Sequence, residues 1–377
     1  MIRVLNIIDT MASGGVERRR LSIAKLLDKS NFELKIICTN ALGPFPNEIR
    51  QQGVEVIAIG DLKSFYDYKQ HKKVMKIIDD FKPHIIHGAV FEGVTMAAIN
   101  GYIKRVPIII LEETSDPQNR RWKGNLLMKI LSYSADKFIG VSPAAIDYLR
   151  NKLHLAENKV KLITNGVALP NEISQNLVTN LKEKYHISFD EIVIGSIGRM
   201  ASDAHKRFSD LIKGFSILLK KQPKVKLIIV GDGREIENYK QLVIDLKIND
   251  NVIFTGYQNE IGNFYALFDI FCLVSAHEAF GLVLAEAMLH KLPVVATKVG
   301  GMQYIVDDGE TGFLVEKYDI DAIAQKLEIL CLDTNLRKEM GDNGYNKAIV
   351  HYTEERYVKD IEKLYFELIQ KKKVILY

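Results

Sequence analysis

Two glutamates, Glu278 and Glu286, frame the segment EAFGLVLAE and carry the strongest chemical signal in the sequence. The segment follows the apolar run Ile270–Ser275, which reads as a buried parallel strand. It opens a helix whose first turn is Phe280–Gly281–Leu282. A helix N-terminus presents unpaired N–H groups and a partial positive charge, so it can hold an anion. Gly281 lets the backbone come close to that anion. Side chains on a helix lean toward its N-terminus, which aims Glu286 back at the same spot, with Glu278 just before the turn. Carboxylates accept hydrogen bonds from vicinal hydroxyls and repel phosphate. Two of them flanking a phosphate cradle suit a ligand built as sugar, diphosphate, sugar: a nucleotide-sugar. An ordinary strand–turn–helix with surface glutamates has the same composition, so the neighbouring segments matter.

Three neighbours also follow apolar strands. After Ile192–Ile197 comes GRMASDAHKRF, in which Arg199 and Lys206 bracket a polar loop before a helix from about Phe208. A guanidinium and an ammonium at a strand's carboxyl end suit a diphosphate, though a lone Arg–Lys pair is more often simply solvated. The first strand ends in DTMASGGVERRR, where Gly14 and Gly15 form a turn before a helix near Val16. Backbone N–H groups there could face a second phosphate, or the pair could be a plain turn. VGDGREIENY, from Val230, resembles a dinucleotide fingerprint, but Ile236 stands where the third glycine belongs and no acidic residue ends the next strand. It reads as a strand-to-helix turn near a nucleotide base. No P-loop, zinc-like His/Cys cluster or nucleophile elbow is present. His84 and His87 straddle a strand and read as core or loop residues. No metal and no cofactor are expected, which leaves Arg199, Lys206 and the helix dipole to neutralise a departing diphosphate.

These loops need strands to hold them. Short apolar runs alternate with helical patterns along the whole chain: Arg3–Ile8, Leu34–Thr39, Val54–Ile59, His84–Gly88, Pro107–Leu111, Lys137–Val141 and Val160–Thr164, then Ile192–Ile197, Lys226–Val230, Asn251–Thr255, Ile270–Val274, Pro293–Ala296 and Gly312–Val315. Continuous apolar strands separated by helices imply parallel sheets covered on both faces, here in two doubly wound α/β domains. The seam is NGVALPNEIS, a Gly/Pro/Asn-rich breaker cluster between Asn165 and Asp190. The expected division is 1–166 with the C-terminal helix 354–377, a linker 167–189, and 190–353.

The bulk numbers agree with that division. The 377 residues are 47% hydrophobic, with a net charge of +4. That balance is too weak to argue for nucleic acid. Cys38, Cys272 and Cys331 have no paired spacing and read as reduced core residues. No apolar stretch approaches the roughly 18–20 residues of a membrane span, and Asp9 interrupts the first apolar run, against a signal peptide. A cytoplasmic location is expected. Arg18–Arg20, Arg120–Lys123 and Lys69–Lys76 put basic residues near Trp122, Tyr66 and Tyr68, which is either a solvated face or a peripheral contact with an anionic membrane.

Taken together these residues resemble the GT-B-fold retaining glycosyltransferases of family 4. The likeness runs from SGGVERRRLSIAKLL through VSPAAIDYL, NGV, IGRM, HKRFSDLIKGF, LIIVGDGRE and VIFTGY to EAFGLVLAEAM and PVVATKVGGMQYIVDDGETGFLV. It implies two Rossmann-like domains facing a cleft. It also implies that Glu278 contacts the transferred sugar and Glu286 the ribose. Arg199 and Lys206 would bind the diphosphate, with N–H groups of Phe280, Gly281, Leu282 and Gly15. Such enzymes are metal-independent and retain the anomeric configuration, the leaving phosphate taking the acceptor's proton. Three departures stand out: Ala279 replaces the usual Gly or Pro, the Arg199-to-Lys206 loop is long, and ILEETSDP replaces the usual histidine after the fifth strand. The last puts Glu112 and Glu113 on the expected acceptor side. The implied activity is transfer from a UDP- or GDP-sugar to a saccharide or lipid-linked acceptor in envelope glycan synthesis, at the inner face of the cell membrane. A nucleotide-sugar epimerase of the same architecture and a non-catalytic nucleotide-sugar-binding protein are the alternatives.

Overall fold

The structure, a computed structural model, describes residues 1–12, 14–115 and 120–376. Ser13 and the end of the string Ile110–Pro117 lie outside the described residues. The chain divides into two compact units, Met1–Gly166 with Glu354–Tyr377, and Val167–Thr353.

The first unit is built on seven strands: β1 Ile2–Ile7, β2 Phe32–Cys38, β3 Glu55–Ala58, β4 Ile85–Ala89, β5 Ile108–Glu113, β6 Lys137–Gly140 and β7 Val160–Leu162. They pair in parallel in the order β3-β2-β1-β4-β5-β6-β7. The second unit has β8 Ile192–Ile197, β9 Val225–Val230, β10 Val252–Phe254, β11 Ile270–Leu273, β12 Val294–Thr297 and β13 Gly312–Val315, in the order β10-β9-β8-β11-β12-β13. Central strands are buried throughout, as β4, β5 and β11 show, because helices cover both faces. Edge strands are shorter than their apolar runs, as at β3 and β7, because only one neighbour holds their ends. In each sheet the order reverses beside the first strand, at β1/β4 and at β8/β11. Loops leaving the carboxyl ends of such a pair diverge and open a crevice.

Two expectations need correction. The segment 167–189 is more than a linker: it carries the helix Gln175–Lys184, started by Ser174 accepting from the Leu177 N–H, within the second unit. None of its residues is buried. Arg18–Arg20 do not form a surface patch. Arg19 and Arg20 are 2% and 0% exposed, on the inner side of the helix Gly15–Leu26. Both guanidiniums donate to the buried Glu112 carboxylate of β5, Arg20 at 2.6 Å. Glu112 therefore sits in the core of the first unit rather than on an acceptor face.

His87 of β4 completes this cluster. Its Nε2 lies 3.3 Å from Glu112, which can only accept, so Nδ1 receives the hydrogen bond from the Tyr365 hydroxyl at 2.8 Å. Tyr365 belongs to the helix Glu354–Lys372, whose Tyr357, Ile361, Leu364 and Leu368 are buried in the core of the first unit. Each such side chain contributes roughly 1.5–3 kcal/mol of burial. Arg356 donates to the Thr164 and Asn165 carbonyls, at 2.7 and 3.0 Å, and ties that helix to the end of the first chain segment. Burial opposes ionisation of Glu112, but the two guanidiniums outweigh it and hold its carboxyl well below the usual range. Burial pushes His87 down to about 4.

The sign of the pH effect follows. An unfolded histidine titrates near ~6.5, whereas folded His87 stays neutral to about 4, so the unfolded state binds the extra proton between those values. Stability should therefore fall as pH drops through that window, by up to ~1.4 kcal/mol per pH unit from this group. Urea unfolding at steps from pH 7 to 4.5 measures the slope. It should be shallower for His87→Gln, and an equal slope in the variant would contradict the assignment.

Candidate active site

The strands β8 and β11 are parallel neighbours, so the turns that leave them start side by side. From β8 the chain passes Gly198 and Arg199 into the short helix Asp203–Lys206, then through Arg207 in the left-handed conformation into the helix Phe208–Leu219. From β11 it passes His277 and Glu278 into the helix Leu282–Leu289, entered through Gly281 at φ +101°. An L side chain is strained at that φ, which makes glycine the fitting residue. The Ala276 N–H donates to the His205 carbonyl at 2.8 Å and joins the two turns. Lys206 Nζ then donates to Glu278 Oε2 at 2.7 Å, both side chains about four-fifths buried at 24% and 20% exposure.

The long loop before Lys206 is fastened from within. The Asp203 carboxylate accepts from the Ser209 N–H and hydroxyl, the Tyr239 hydroxyl at 3.0 Å and Arg207 at 3.1 Å. Burial works against its ionisation, but these hydrogen bonds, Ser209's first, hold the carboxyl below the usual range. Burial, reinforced by that carboxylate, raises the Tyr239 phenol. The Met200 N–H donates to the Asp232 carbonyl and the Glu235 N–H to the Met200 carbonyl, so the turn after β9 braces the turn that carries Arg199. Arg199 itself is exposed.

The glutamate turn rests on a feature without an assigned role in the sequence. Gly300 and Gly301, after β12, press against its backbone. A Cβ on Gly300 would fall 1.8 Å from the Glu278 carbonyl oxygen, and one on Gly301 would fall 2.3 Å from that of Ala279. The Gly301 N–H donates to the Glu278 carbonyl at 3.1 Å. Phe280 is buried against Tyr352, edge-on at 5.6 Å, and anchors the turn. Leu282 is the first helical residue and half-buried. Glu286, one turn into the helix, is 8% exposed, and the Tyr265 hydroxyl donates to its Oε2 at 2.7 Å. Tyr265 stacks on His290 at 4.9 Å, and burial drops that imidazole to about 4, so it stacks as a neutral ring. Gly300, Gly301 and Tyr265 are the supporting residues that pattern alone missed. The VGG string offered a hint, whereas nothing near Tyr265 in the sequence points to Glu286.

The first unit holds the other candidates. Gly14 caps the helix Gly15–Leu26, and the Glu17 carboxylate folds back over it: a Cβ on Gly14 would meet Glu17 Oε2 at 2.6 Å. This helix start is already faced by its own carboxylate. Glu113 is 2% exposed and accepts from Arg120 and from the Ser115 N–H and hydroxyl. Thus Glu112 and Glu113, adjacent in sequence, hold different partners inside the unit.

Two family models match, one after the other: Glycosyltransferase Family 4 over residues 13–169 and Glycosyl transferases group 1 over residues 178–347. The chain is a glycosyltransferase of the GT-B fold. It is 29% identical over 356 residues to the capsular polysaccharide biosynthesis glycosyltransferase CapM of Staphylococcus aureus, covering 90% of this chain and 91% of that one. It is 23% identical over 370 residues to the Escherichia coli UDP-Gal:alpha-D-GlcNAc-diphosphoundecaprenol alpha-1,3-galactosyltransferase, covering 95% of each. In fold it superposes on Anabaena HepE, solved in complex with UDP, with a TM-score of 0.86 over 97% of this chain and 100% of that chain at 22% identity.

For this glycosyltransferase the Lys206–Glu278 pair has a consequence for anion binding. A diphosphate bound at Lys206 would compete with Glu278 for the ammonium. Glu278→Gln should therefore bind a free nucleoside diphosphate about two- to fivefold more tightly, the worth of a partly exposed ion pair, while Lys206→Met should bind it more weakly. Titration calorimetry on the two variants decides this. Weaker binding by Glu278→Gln than by the wild type would show that the carboxylate supports the nucleotide directly.

Proposed function

We propose that this glycosyltransferase moves a hexose-type sugar from a UDP-sugar to a saccharide acceptor of a cell-envelope glycan, lipid-linked in the simplest case. The anomeric configuration is kept and no divalent metal is required. The observation that carries this reading is the meeting of Lys206 and Glu278 where β8 and β11 end, with Arg199 on the same turn as Lys206. One place then offers cations for a diphosphate and a carboxylate for sugar hydroxyls.

As the bond from the sugar's C1 to the diphosphate oxygen breaks, negative charge grows on that oxygen. Lys206, Arg199 and the N-terminus of the helix Leu282–Leu289 neutralise it. The acceptor hydroxyl forms its bond to C1 from the face the diphosphate leaves. Its proton passes to the departing phosphate oxygen, so C1 keeps its configuration. Glu278 accepts hydroxyls of the transferred sugar, and Glu286, held by Tyr265, accepts those of the ribose.

UDP is favoured over GDP because HepE was solved with UDP and the E. coli relative is named for UDP-Gal. The envelope acceptor is supported by the names of the S. aureus and E. coli relatives. Among the described residues no helix is long and apolar enough to cross a membrane. A lipid-linked acceptor would be met from the bilayer surface, on the cytoplasmic side.

Arg199→Ala should lower turnover on the order of a hundredfold, as the loss of one charge-stabilising donor does, with a smaller change in KM. EDTA should leave the rate unchanged, and loss of activity on chelation that manganese or magnesium restores would falsify the metal-independent reading. Tyr265→Phe removes the hydroxyl on Glu286 and should weaken nucleotide binding about fivefold, the effect of one hydrogen bond. Unchanged affinity in that variant would take Glu286 out of the ribose role.

A further inference from the structure

The helix Trp122–Ser132 is apolar on two sides. Met128 and Leu131 are buried in the core of the first unit. On the opposite side Trp122, Leu126 and Ile130, with Tyr133 just past the end, are 69%, 51%, 55% and 72% exposed. Their spacing is that of one stripe along a helix. Lys123 and Lys129 flank the stripe on either side and Arg121 precedes it. Lys159 adds a cation at the far end, its ammonium donating to the Ser132 and Tyr133 carbonyls at 3.2 and 3.4 Å. No aspartate or glutamate occurs between Arg120 and Ala135. Arg120 is not part of this surface, because it is bound to Glu113 and the Tyr148 hydroxyl.

A contiguous exposed apolar stripe marks an interaction surface. Protein interfaces deplete lysine at their centres. A stripe of Leu and Ile with aromatic rings at both ends and lysines along both flanks instead matches the boundary of a bilayer, where rings sit at headgroup level and cations meet lipid phosphates. We propose that the Trp122–Ser132 helix is the surface by which this protein lies on an anionic lipid bilayer. Trp122, Leu126, Ile130 and Tyr133 enter the headgroup boundary, and Arg121, Lys123, Lys129 and Lys159 pair with lipid phosphates. This gives the membrane contact a defined face, and it rests on the lipid-linked reading for its purpose only.

Trp122 is the only tryptophan of the chain, so its fluorescence reports on this face alone. With phosphatidylglycerol vesicles at low salt its emission should shift to the blue and be quenched by brominated acyl chains. Phosphatidylcholine vesicles should give neither effect, and added salt should weaken both. Lys123→Ser and Lys129→Ser should each lower vesicle affinity about fivefold. Leu126→Asp with Ile130→Asp should abolish binding without shifting the urea midpoint, since both positions face solvent. Unchanged emission with phosphatidylglycerol vesicles overturns the proposal, as does binding that survives the double Asp change. A wild-type dimer that the double Asp change dissolves also overturns it, assigning the face to a contact between copies. No donor or acceptor is present in these measurements, so their failure leaves the transferase reading to its own assays.

Discussion

Lys206 and Glu278 are 72 residues apart, and their contact depends on a single topological fact: β8 and β11 lie side by side where the strand order reverses. A partly exposed ion pair of this kind is worth only ~0–1 kcal/mol. Its importance is positional. The pair sets an ammonium and a carboxylate beyond two adjacent strand ends, beside the start of a helix. Much of the surrounding structure keeps those two groups in place: Asp203 locks the loop behind Lys206, and Gly300–Gly301 lock the backbone behind Glu278. The two charges satisfy each other, Lys206 donating to Glu278.

The first unit has its own ionic centre, but that one is buried. Two guanidiniums, one carboxylate and a neutral imidazole lie between the sheet, the helix Gly15–Leu26 and the helix Glu354–Lys372. Taking such groups out of water costs several kcal/mol per ion, which Glu112 offsets only because it faces both arginines. Removing Glu112 would leave two buried guanidiniums uncompensated, at a cost of about 3–5 kcal/mol. The arrangement holds the start of the helix Gly15–Leu26 in a defined position and pins the C-terminal helix beneath it. Charge thus acts in two ways in the molecule. It is structural and buried around Glu112, and partly exposed between Lys206 and Glu278.

The likeness to HepE, at 22% identity, concerns architecture, and one architecture hosts many chemistries. The chemistry of this chain lies in side chains set on strand ends. Support for each comes from residues with no reactive role of their own, as Tyr265 supports Glu286 through one hydrogen bond and a stack on His290. A change of donor or acceptor within such a fold needs only new loops, since the strands beneath are buried at their carboxyl ends and set the positions of whatever leaves them.

By itself the sequence determined the α/β class, the two-sheet organisation and the block from Glu278 to Glu286, because those rest on local signals. Short continuous apolar runs such as Ile108–Leu111 and Ile270–Leu273, alternating with helical patterns, read as strands covered on both faces, and Gly281 marks a helix start by its own conformational freedom. What the sequence could not show depends on contacts through space. Arg19 and Arg20 look like surface charges until Glu112, 93 and 92 residues away, is placed against them. The helix Gln175–Lys184 follows directly on the breaker cluster NGVALPNEIS and buries no residue, so nothing in the sequence ties it to a neighbour. The Gly300–Gly301 pair acquires a role only when β12 lies next to β11 and brings it onto the Glu278 carbonyl. The helix Trp122–Ser132 has apolar residues on two opposite sides, so only the packed structure decides that Met128 and Leu131 face the core while Trp122 and Ile130 face outward. Periodicity states how much apolar surface an element has. Which part of it is covered is decided by the neighbour that arrives.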